Sequence, residues 1–414
     1  MADATSFPKD QIRVVLLEKV SARADAVFAE AGYAVERIDR ALSPDELLSA
    51  ATDAHVLGVR SGTALPAEAI ARMPRLLTAG CFCIGTDHVD LAAARSRGVP
   101  VFNSPFGNTR SVAELTIAEC VALSRRLGDR SAQMHAGAWQ KSAAGSHEIR
   151  GKTLGIVGYG HIGTQVSILA EAFGMRVLYH DIEPKLPLGN AQPAESLADL
   201  LERSDIVTLH VPDTPTTRGL IGSAELSGMK PDAVLINNAR GQIVDVPSLA
   251  AALTAGRLAG AAVDVFPVEP GSSAEAFESE LRGVANVILT PHIGGSTEEA
   301  QATIAEDVAT KLVRFLDTGS TPGAVNMPRV DLPSQAADPN RRPHRILHMH
   351  RNVPGVLSGL HAVISERGVN VLGEYLQTDA ELGYVVLDID PDGAAGLGEA
   401  LRALPDTVRL RVLW

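Results

Sequence analysis

Residues 153–163 read TLGIVGYGHIG, an apolar run that leads into a glycine-rich turn and then into a helical pattern. Gly158, Gly160 and Gly163 stand in GxGxxG spacing. In such a turn the first glycine permits a tight bend, the second lets a pyrophosphate approach the backbone, and the third lets strand and helix pack closely. Because a helix N-terminus then faces the anion, the stretch predicts a dinucleotide site. The alternative is a turn that merely connects a strand to a helix.

Asp181 ends the next apolar run, RVLYHD, close to the spacing of about 20 residues at which dinucleotide folds carry an acidic residue. A carboxylate at this place accepts hydrogen bonds from ribose hydroxyls and repels a 2′-phosphate. The predicted cofactor is therefore NAD rather than NADP, although the nearby Lys185 weakens that preference. The alternative is that Asp181 is an ordinary turn residue at a strand end.

Apolar runs alternate with helical stretches on both sides of this motif, and the rhythm is that of parallel βαβ units. Between 152 and 290 it predicts six strands in one doubly wound sheet. Four further runs, which begin near 12, 55, 76 and 99, predict a second lobe of the same kind, Rossmann-like or flavodoxin-like. Long helices are expected at 111–126 and 298–317. The six strands are expected near 153–157, 175–180, 205–210, 233–238, 259–264 and 286–290.

The last part of the chain has a different pattern. A polar, proline-containing stretch at 328–343 lacks periodicity and predicts a linker. The remainder shows strand, helix, strand, strand, helix and strand, which predicts a ferredoxin-like βαββαβ domain. The expected domains are an N-terminal lobe at 1–108 completed by 296–327, a dinucleotide-binding domain at 109–295, the linker, and a C-terminal domain at 344–414.

Three ionisable residues follow successive predicted strands: Arg240, Glu269 and His292. Loops at the carboxyl ends of parallel strands line one crevice, so these side chains are expected to converge there. A histidine near neutral pKa suits proton transfer to or from a hydroxyl, and a carboxylate beside it would hold its tautomer. An arginine would bind a substrate carboxylate through two hydrogen bonds. Taken singly, each has an alternative role: His292 as a surface residue near a helix, Glu269 as a solvated turn residue before Pro270, and Arg240 as a partner of a phosphate or a helix terminus.

The other histidines carry less weight. His161 lies within the glycine turn, where its backbone N–H matters more than its ring, and His210 ends a strand at the edge of the expected crevice. Two of the three histidines at 344, 348 and 350 alternate along one strand, but no carboxylate or cysteine accompanies them. We therefore predict no metal site.

Composition excludes several classes of protein. The chain has 414 residues, with 37 basic and 49 acidic side chains and a net charge of −12, so its field repels nucleic acid and anionic membranes. Cys81, Cys83 and Cys120 show no CxxC spacing and are expected to be free thiols in a reducing compartment. No run is long and apolar enough for a signal peptide or a membrane span. The expectation is a soluble cytoplasmic protein.

Several stretches together resemble the family of D-isomer-specific 2-hydroxyacid dehydrogenases, and the resemblance covers nearly the whole chain. These are NTRSVAEL from 108, the glycine turn, NNARGQIVD from 237, AAVDVFPVEP from 261 and LTPHIGGST from 289. GCFCIGTDHVDL from 80 and the C-terminal βαββαβ unit make the chain similar to members of short bacterial type that carry an ACT regulatory domain.

The resemblance implies NAD-dependent oxidation of 3-phospho-D-glycerate to 3-phosphooxypyruvate, the entry step of L-serine biosynthesis. A side activity that reduces 2-oxoglutarate is compatible with it. His292 is then the general acid and base, Glu269 its partner and Arg240 the carboxylate anchor. Implied substrate contacts are Arg60, Ser61, Asn108, Arg240 and Lys141. Implied cofactor contacts beyond the three glycines are Val112, His161, Ile162, Asp181, Asn238, Ala239, Arg240, Asp264, His292, Ile293, Gly294 and Gly295.

The ACT-like unit implies regulation as well. In similar enzymes two such domains pair and bind L-serine through residues that match His350, Asn352 and Asn370. The alternative is a dimerisation module without a ligand. A paired ACT domain and a clasping dehydrogenase lobe would give two interfaces, so a homotetramer is expected.

The chain departs from its relatives at the expected phosphate site. Close relatives often place a second basic residue where this chain has Gly62, and Arg40 and Lys141 are the candidates to replace that charge. Two other functions remain open. One is action on another 2-hydroxyacid, such as glyoxylate, hydroxypyruvate or lactate, and the other is an NAD(H)-sensing binding protein of the corepressor type.

Overall fold

The computed structural model describes residues 8–270, 275–333, 343–392 and 396–413. Its contacts divide the chain into a central unit, Asn108–Ala300, and a terminal unit, which comprises the residues up to Gly107 and those from Gln301 onward. The helices are α1 (Arg23–Glu30), α2 (Pro44–Ala51), α3 (Ala67–Ala71), α4 (Leu91–Ser96), α5 (Thr109–Ser124), α6 (Leu127–His135), α7 (His161–Ala172), α8 (Leu197–Arg203), α9 (Ser223–Gly228), α10 (Val246–Thr254), α11 (Glu298–Thr318), α12 (Val356–Glu366) and α13 (Leu397–Arg402).

Sixteen strands are present in the described part of the chain. They are β1 (Val14–Leu17), β2 (Val35–Ile38), β3 (Val56–Val59), β4 (Thr78–Cys81), β5 (Val101–Asn103), β6 (Thr153–Val157), β7 (Arg176–His180), β8 (Gln192–Pro193), β9 (Ile206–Leu209), β10 (Val234–Asn237), β11 (Gly260–Val263), β12 (Val287–Leu289), β13 (His344–Arg351), β14 (Val371–Thr378), β15 (Leu382–Ile389) and β16 (Thr407–Leu413).

The central unit carries a parallel sheet in the order β12-β11-β10-β9-β6-β7-β8. Counted from β6, this is the 3-2-1-4-5-6 order of dinucleotide-binding folds with one strand added. The chain order reverses between β6 and β9, so the crevice for a ligand opens at the carboxyl ends of these two strands. All six predicted strands are present, and the two-residue β8 at the edge is additional.

The N-terminal part of the terminal unit is a second parallel sheet, in the flavodoxin-like order β2-β1-β3-β4-β5. The four predicted runs form β1, β3, β4 and β5, whereas β2 was not predicted. Its sequence, VERI, has charged residues inside a four-residue strand at the sheet edge, and none of its residues is fully buried. A half-exposed edge strand lacks the continuous apolar run that marks buried parallel strands.

The C-terminal strands form an antiparallel sheet in the order β14-β15-β13-β16. This arrangement confirms the predicted ferredoxin-like domain. Helices α12 and α13 pack on one face through an apolar cluster that includes Leu360 and Leu401. The opposite face contributes Leu347 and Tyr384 to the same core as the N-terminal sheet. The C-terminal domain is therefore packed against the N-terminal lobe within the terminal unit.

Part of the predicted linker, residues 334–342, lies outside the described residues. Val330, which belongs to the predicted linker, is fully buried, and its N–H donates to Thr321 Oγ1 at 2.8 Å. The packed part of the chain therefore continues at least to Val330, inside the segment predicted as a linker. The described start of the last helix is Leu397, since residues 393–395 are also outside that range.

Two further expectations concern the chemistry of the chain. Cys81, Cys83 and Cys120 form no disulfide in the structure, as the sequence predicts. A search of the described residues finds no helix with the length and apolar character needed to cross a membrane.

Candidate active site

The glycine turn follows β6 at the point where the order of the central sheet reverses. Gly158 has φ of +92°, and a side chain there would place its Cβ 2.5 Å from the carbonyl oxygen of His210. A Cβ at Gly160 would meet no atom within 4 Å. The twelve-residue helix α7 begins at His161 beside this open space. Backbone N–H groups at a helix start bind phosphate oxygens, so the turn fits a pyrophosphate.

Asp181 lies directly after β7, at the expected ribose position. Its Oδ2 accepts the Tyr159 N–H at 2.8 Å, and its Oδ1 accepts the Glu183 N–H at 3.0 Å. These bonds fix the carboxylate while each oxygen keeps a further lone pair for a hydroxyl donor. A cavity of about 410 Å³ lies beside it, lined by Tyr179, Asp181 and Ile182 among others. Asp181 is placed to bind the ribose of a dinucleotide, and the cavity beside it has room for the base.

His292 and Glu269 form the reactive pair. His292 Nδ1 lies 2.9 Å from Glu269 Oε2, and Glu269 Oε1 accepts the Phe266 N–H at 3.1 Å. His292 has a left-handed backbone with φ of +55°, which costs energy in a residue other than glycine. Its N–H donates to the Asp264 carbonyl at 2.8 Å, which holds the strained turn. With Nδ1 bonded to the carboxylate, Nε2 is the ring atom that can exchange a proton with a substrate.

The two partners shift each other's pKa in opposite directions. The hydrogen bond and charge of Glu269 raise the pKa of His292, against the opposing effects of burial and of Arg240. Burial would raise the pKa of Glu269, but the bond to His292, the Phe266 N–H and the charge of Arg240 bring that pKa below its usual value. The pair is therefore a carboxylate beside a histidine whose pKa is raised above its usual value.

A compact turn carries Arg240 after β10. The Asn237 side chain donates to the Arg240 carbonyl at 3.0 Å and accepts the Ala239 N–H at 3.2 Å. A Cβ at Gly241 would lie 2.0 Å from the backbone of Phe266, so only glycine lets these two segments meet. This contact joins the Arg240 turn to the segment that leads to Glu269. The three ionisable residues predicted to converge thus belong to segments in contact.

Asp264 has a role in the structure that sequence reasoning missed. Its Oδ1 accepts Thr290 Oγ1 at 2.6 Å and the Ile293 N–H at 2.8 Å, and its Oδ2 accepts the Gly294 N–H at 2.7 Å. The resemblance implies a cofactor contact for this residue. In the structure the buried carboxylate fixes the loop that bears His292. No local pattern in AAVDVFP distinguishes the two roles, because the loop that Asp264 binds follows a different strand.

The remaining implied contacts lie in several places. Val112 lies 3.6 Å from the position a Gly294 Cβ would take, and Asn108 Nδ2 lies 2.0 Å from the corresponding position at Gly295. Val112 on α5 and Asn108, which directly precedes α5, therefore both lie against the loop after His292. The Asn238 side chain, by contrast, bonds to residues of α5. Ile162 is on the first turn of α7, and Lys141 is exposed in the segment after α6.

Arg60 and Ser61 belong to the terminal unit, in the loop after β3. Glu18 holds this loop: its Oε1 accepts the Arg60 and Thr63 N–H groups, and its Oε2 accepts the Gly62 N–H at 2.8 Å. A Cβ at Gly62 would lie 2.9 Å from the same Oε2, so the loop packs closely against this carboxylate. Arg40, a candidate to replace the missing charge, pairs with Glu46 at 2.9 Å.

The residues expected to bind an effector lie in the C-terminal domain. His350 on β13 is buried, and its ring stacks on His348 with centroids 5.2 Å apart. Burial lowers the pKa of both histidines, that of His348 to about 4, so both rings are neutral. Asn352 donates to the Asp379 carbonyl at 2.6 Å. Asn370 accepts the Asp390 N–H through its backbone carbonyl at 2.9 Å.

The fold and this site together define an NAD-dependent dehydrogenase of the class that acts on 2-hydroxyacids. Residues 117–294 match the model described as D-isomer specific 2-hydroxyacid dehydrogenase, NAD binding domain, which confirms the predicted cofactor. Residues 346–409 match the model of an AHAS small subunit-like ACT domain. The ACT domain predicted from the sequence is therefore also confirmed.

Full-length relatives narrow the class. The chain is 50% identical over 414 residues to a D-3-phosphoglycerate dehydrogenase of Dictyostelium discoideum, covering 100% of both chains. It is 50% identical over 412 residues to the enzyme of the same name from Escherichia coli strain K12, covering 99% of both. The chain belongs to the D-3-phosphoglycerate dehydrogenase family, as the sequence predicts.

A solved structure supports the fold of the dehydrogenase part. D-lactate dehydrogenase from Aquifex aeolicus, complexed with NAD and lactic acid, superimposes with a TM-score of 0.64 at 30% identity. The match covers 73% of this chain and 95% of that one. This agrees with a dehydrogenase fold to which the C-terminal ACT domain is added.

Glu269→Gln should move the pH profile of turnover. A glutamine cannot supply the negative charge that favours imidazolium, so the pKa of His292 falls toward its ordinary value. Oxidation of the substrate needs neutral His292, so the rising limb of the pH profile of turnover should shift to lower pH. Turnover measured from pH 6 to 10 tests this. Glu278→Gln, which changes an exposed glutamate on the same segment, should leave the limb in place. A limb unmoved by Glu269→Gln would contradict the pairing.

Proposed function

We propose that this protein oxidises 3-phospho-D-glycerate to 3-phosphooxypyruvate with NAD, the entry step of L-serine biosynthesis. The observation that carries the proposal is the His292–Glu269 pair beside the Arg240 turn, on the unit that bears the dinucleotide turn. The names of the full-length relatives support the choice of substrate. The C-terminal ACT domain supports it further, because a dehydrogenase without regulation does not need one.

The proposed reaction assigns one task to each residue. The glycine turn and Asp181 would hold NAD, which would supply the hydride acceptor that oxidation at C2 of the substrate requires. His292 Nε2 takes the proton from the C2 hydroxyl as the carbonyl forms, and Glu269 stabilises the resulting imidazolium. Arg240 binds the substrate carboxylate through two parallel N–H donors, a charge-assisted contact worth about 1.5 to 3 kcal/mol. In the reverse direction His292 returns the proton.

The backbone of the glycine turn at Gly158, Gly160 and Gly163 would hold the pyrophosphate, and Asp181 the ribose. We propose that Arg60, Ser61, Asn108 and Lys141 contact the substrate. Support for Arg60 is the loop that Glu18 fixes through three backbone N–H groups. Gly62 adds no charge to this loop, so Arg60 carries the larger share of phosphate recognition there.

An absorbance assay tests the function. Purified protein with NAD and 3-phospho-D-glycerate should produce NADH, and at equal concentration the rate should exceed that with D-lactate, D-glycerate or 2-hydroxyglutarate. The reverse reaction is assayed with hydroxypyruvate, glyoxylate and 2-oxoglutarate. A preference for another acid would assign a different 2-hydroxyacid, and NADH binding without any turnover would assign a sensor of the corepressor type.

Asp181→Ala should weaken the preference for NAD over NADP. The carboxylate that the Tyr159 and Glu183 N–H groups hold in place would repel a 2′-phosphate, and Lys185, whose Nζ lies 3.9 Å from it, would attract one. We expect the ratio of kcat/KM for the two cofactors to change by about 10-fold or more, the effect of roughly 1.4 kcal/mol. Glu202→Ala, which changes an exposed glutamate of α8 on the same unit, is the control. An unaltered ratio would place the preference elsewhere.

We propose that L-serine inhibits the enzyme by binding at the ACT domain through His350, Asn352 and Asn370. The buried Nδ1 of neutral His350 has no hydrogen-bond partner among the described residues, which supports a ligand there. Titration with L-serine up to millimolar concentration should reduce turnover, with D-serine as the control. Turnover insensitive to L-serine would leave the ACT domain as a dimerisation module.

We propose a homotetramer built from two different interfaces. Leu127, Met134 and Trp139 expose apolar side chains on the segment that includes α6. The edge strand β14 exposes Leu372 and Tyr375 on the other unit. Two separate apolar surfaces support two contacts per subunit. Solution mass by light scattering tests the state, and a monomer at micromolar concentration would contradict it.

A further inference from the structure

Glu119 is a carboxyl group buried inside the central unit. It lies on α5 with 2% of its surface exposed, where its sequence neighbours Ile117 and Cys120 are also buried. Its Oε2 accepts the Asn238 Nδ2 at 2.7 Å, and its Oε1 has no hydrogen-bond partner among the described residues. A buried carboxylate with one hydrogen bond and no paired cation is costly, so the group needs an explanation.

Protonation of Glu119 relieves this cost. Burial, together with the charge of Asp264, raises the pKa of Glu119 to about 7, although the bond from Asn238 acts in the opposite direction. Asn238 Oδ1 is a second buried acceptor without a partner in the described part of the chain. A neutral carboxylic acid has an O–H to donate, whereas a carboxylate only accepts. Protonation would thus let Glu119 Oε1 donate a hydrogen bond instead of remaining an unpartnered buried acceptor.

Asn238 connects α5 to the turn that bears Arg240. The bonds of Asn237 lie within the turn and fix its shape, and the close contact of Gly241 with Phe266 joins it to the segment after β11. The Asn238 side chain attaches the turn to α5 by donating to Glu119 Oε2 and, at 3.1 Å, to Thr116 Oγ1. Two side chains of α5 thus contribute to the position of the Arg240 backbone.

We propose that Glu119 is a positioning residue, which in its protonated form holds Asn238 and thereby the turn that places Arg240 against the substrate. The consequence for substrate binding rests on the role of Arg240 given under Proposed function. The protonation state and the attachment of the turn do not depend on that role. Asp264, which follows β11, is the charged group that acts on Glu119, and Thr116 and Cys120 are the polar neighbours on α5.

The first test measures the thermal midpoint from pH 5 to 8.5 for the wild type, Glu119→Gln and Glu202→Leu, an exposed glutamate of α8. The pKa of Glu119 in the folded protein lies above its unfolded value of 4.5, so the unfolded chain loses this proton first and the wild type loses stability as pH rises from about 5 toward 8. Glutamine has no proton to lose. The thermal midpoint of Glu119→Gln minus that of the wild type should be at least about 2 °C larger at pH 8 than at pH 5. Parallel curves for the two proteins would overturn the protonation.

The second test measures kinetics with 3-phospho-D-glycerate and hydrogen exchange of the Asn238–Arg240 amides. Glu119→Leu removes the acceptor, so KM should rise about 10-fold or more with a smaller change in kcat, and the amides should exchange faster. Glu119→Gln can accept and donate as the acid does and should keep KM within about threefold at pH 7. Above pH 8 the KM of the wild type should rise relative to that of Glu119→Gln.

The two tests separate the possible failures. If Glu119→Leu does not fold, the comparison of the wild type with Glu119→Gln across pH still decides the proposal. Unchanged KM and unchanged amide exchange in a folded Glu119→Leu protein would overturn the positioning role. If the wild type does not turn over 3-phospho-D-glycerate, the proposed function fails, while the stability curves and the amide exchange still decide the state and role of Glu119.

Discussion

His292→Gln should lower turnover of 3-phospho-D-glycerate by about 100-fold or more, the usual contribution of a general acid or base. Glutamine can keep a hydrogen bond to Glu269 but cannot take up the proton of the substrate hydroxyl at physiological pH. Binding of NADH, measured by fluorescence, should change much less than turnover, because the glycine turn that would hold the pyrophosphate follows a different strand, β6. The loss should therefore be in kcat.

His147→Gln provides the matched control, since His147 is an exposed histidine of the same unit with no part in the site. Its turnover should equal that of the wild type. The His292 variant also needs a folded-state check, because residue 292 has a left-handed backbone that glutamine tolerates no better than histidine. Turnover above about one tenth of the wild-type value in folded His292→Gln would exclude the proton-transfer role.

Arg345→Met should destabilise the C-terminal domain by about 3 to 5 kcal/mol, the cost of leaving one half of a buried ion pair unpaired. Arg345 on β13 and Asp388 on β15 have side chains only 1% and 2% exposed, with both N···O distances 2.7 Å. The arginine also donates to the Thr318 and Leu332 carbonyls at 3.2 and 2.9 Å. The pair therefore holds the C-terminal sheet to the end of α11.

Hydrogen exchange of the β13 and β15 amides measures this loss, because it reports opening of the C-terminal sheet without assuming that the whole chain unfolds in one step. Arg345→Met with Asp388→Leu removes both charges and should recover at least about half of the loss. Arg367→Met changes an exposed arginine after α12 and should have no effect. A loss below about 1 kcal/mol in Arg345→Met would show that the pair contributes little.

The packing around Arg345 also bears on regulation. The effector residues proposed at His350 and Asn352 are on, or directly after, the strand that carries Arg345. The opposite face of that sheet shares a core with the N-terminal sheet, from which the Arg60 loop extends. A movement of β13 on serine binding would thus act on side chains packed against the N-terminal sheet. Coupling between sites of this kind is typically worth about 1 to 3 kcal/mol.

Most elements of the two parallel sheets could be predicted because their information is local. Buried parallel strands are short apolar runs between turn residues, and β6, β7 and β9 fall within about one residue of the predicted bounds. The edge strand β2 was missed because its charged residues interrupt the apolar run that marks a buried strand. The helix expected at 111–126 is observed at Thr109–Ser124, since Arg126 has a left-handed backbone with φ of +51° and cannot continue it.

By itself, the sequence determined the six main strands of the central sheet, the dinucleotide turn and the identity of Arg240, Glu269 and His292 as candidates. It could do so because residues that follow parallel strands meet at one edge whatever the side-chain packing. Only the tertiary structure decided that Asp264 binds the loop of His292 and that Glu119 is buried. In the sequence, Glu119 is one polar residue in an amphipathic helix, and which face of that helix is covered depends on segments more than 100 residues away. Local pattern fixes backbone elements, whereas the partner of a buried polar group is fixed only when distant segments pack together.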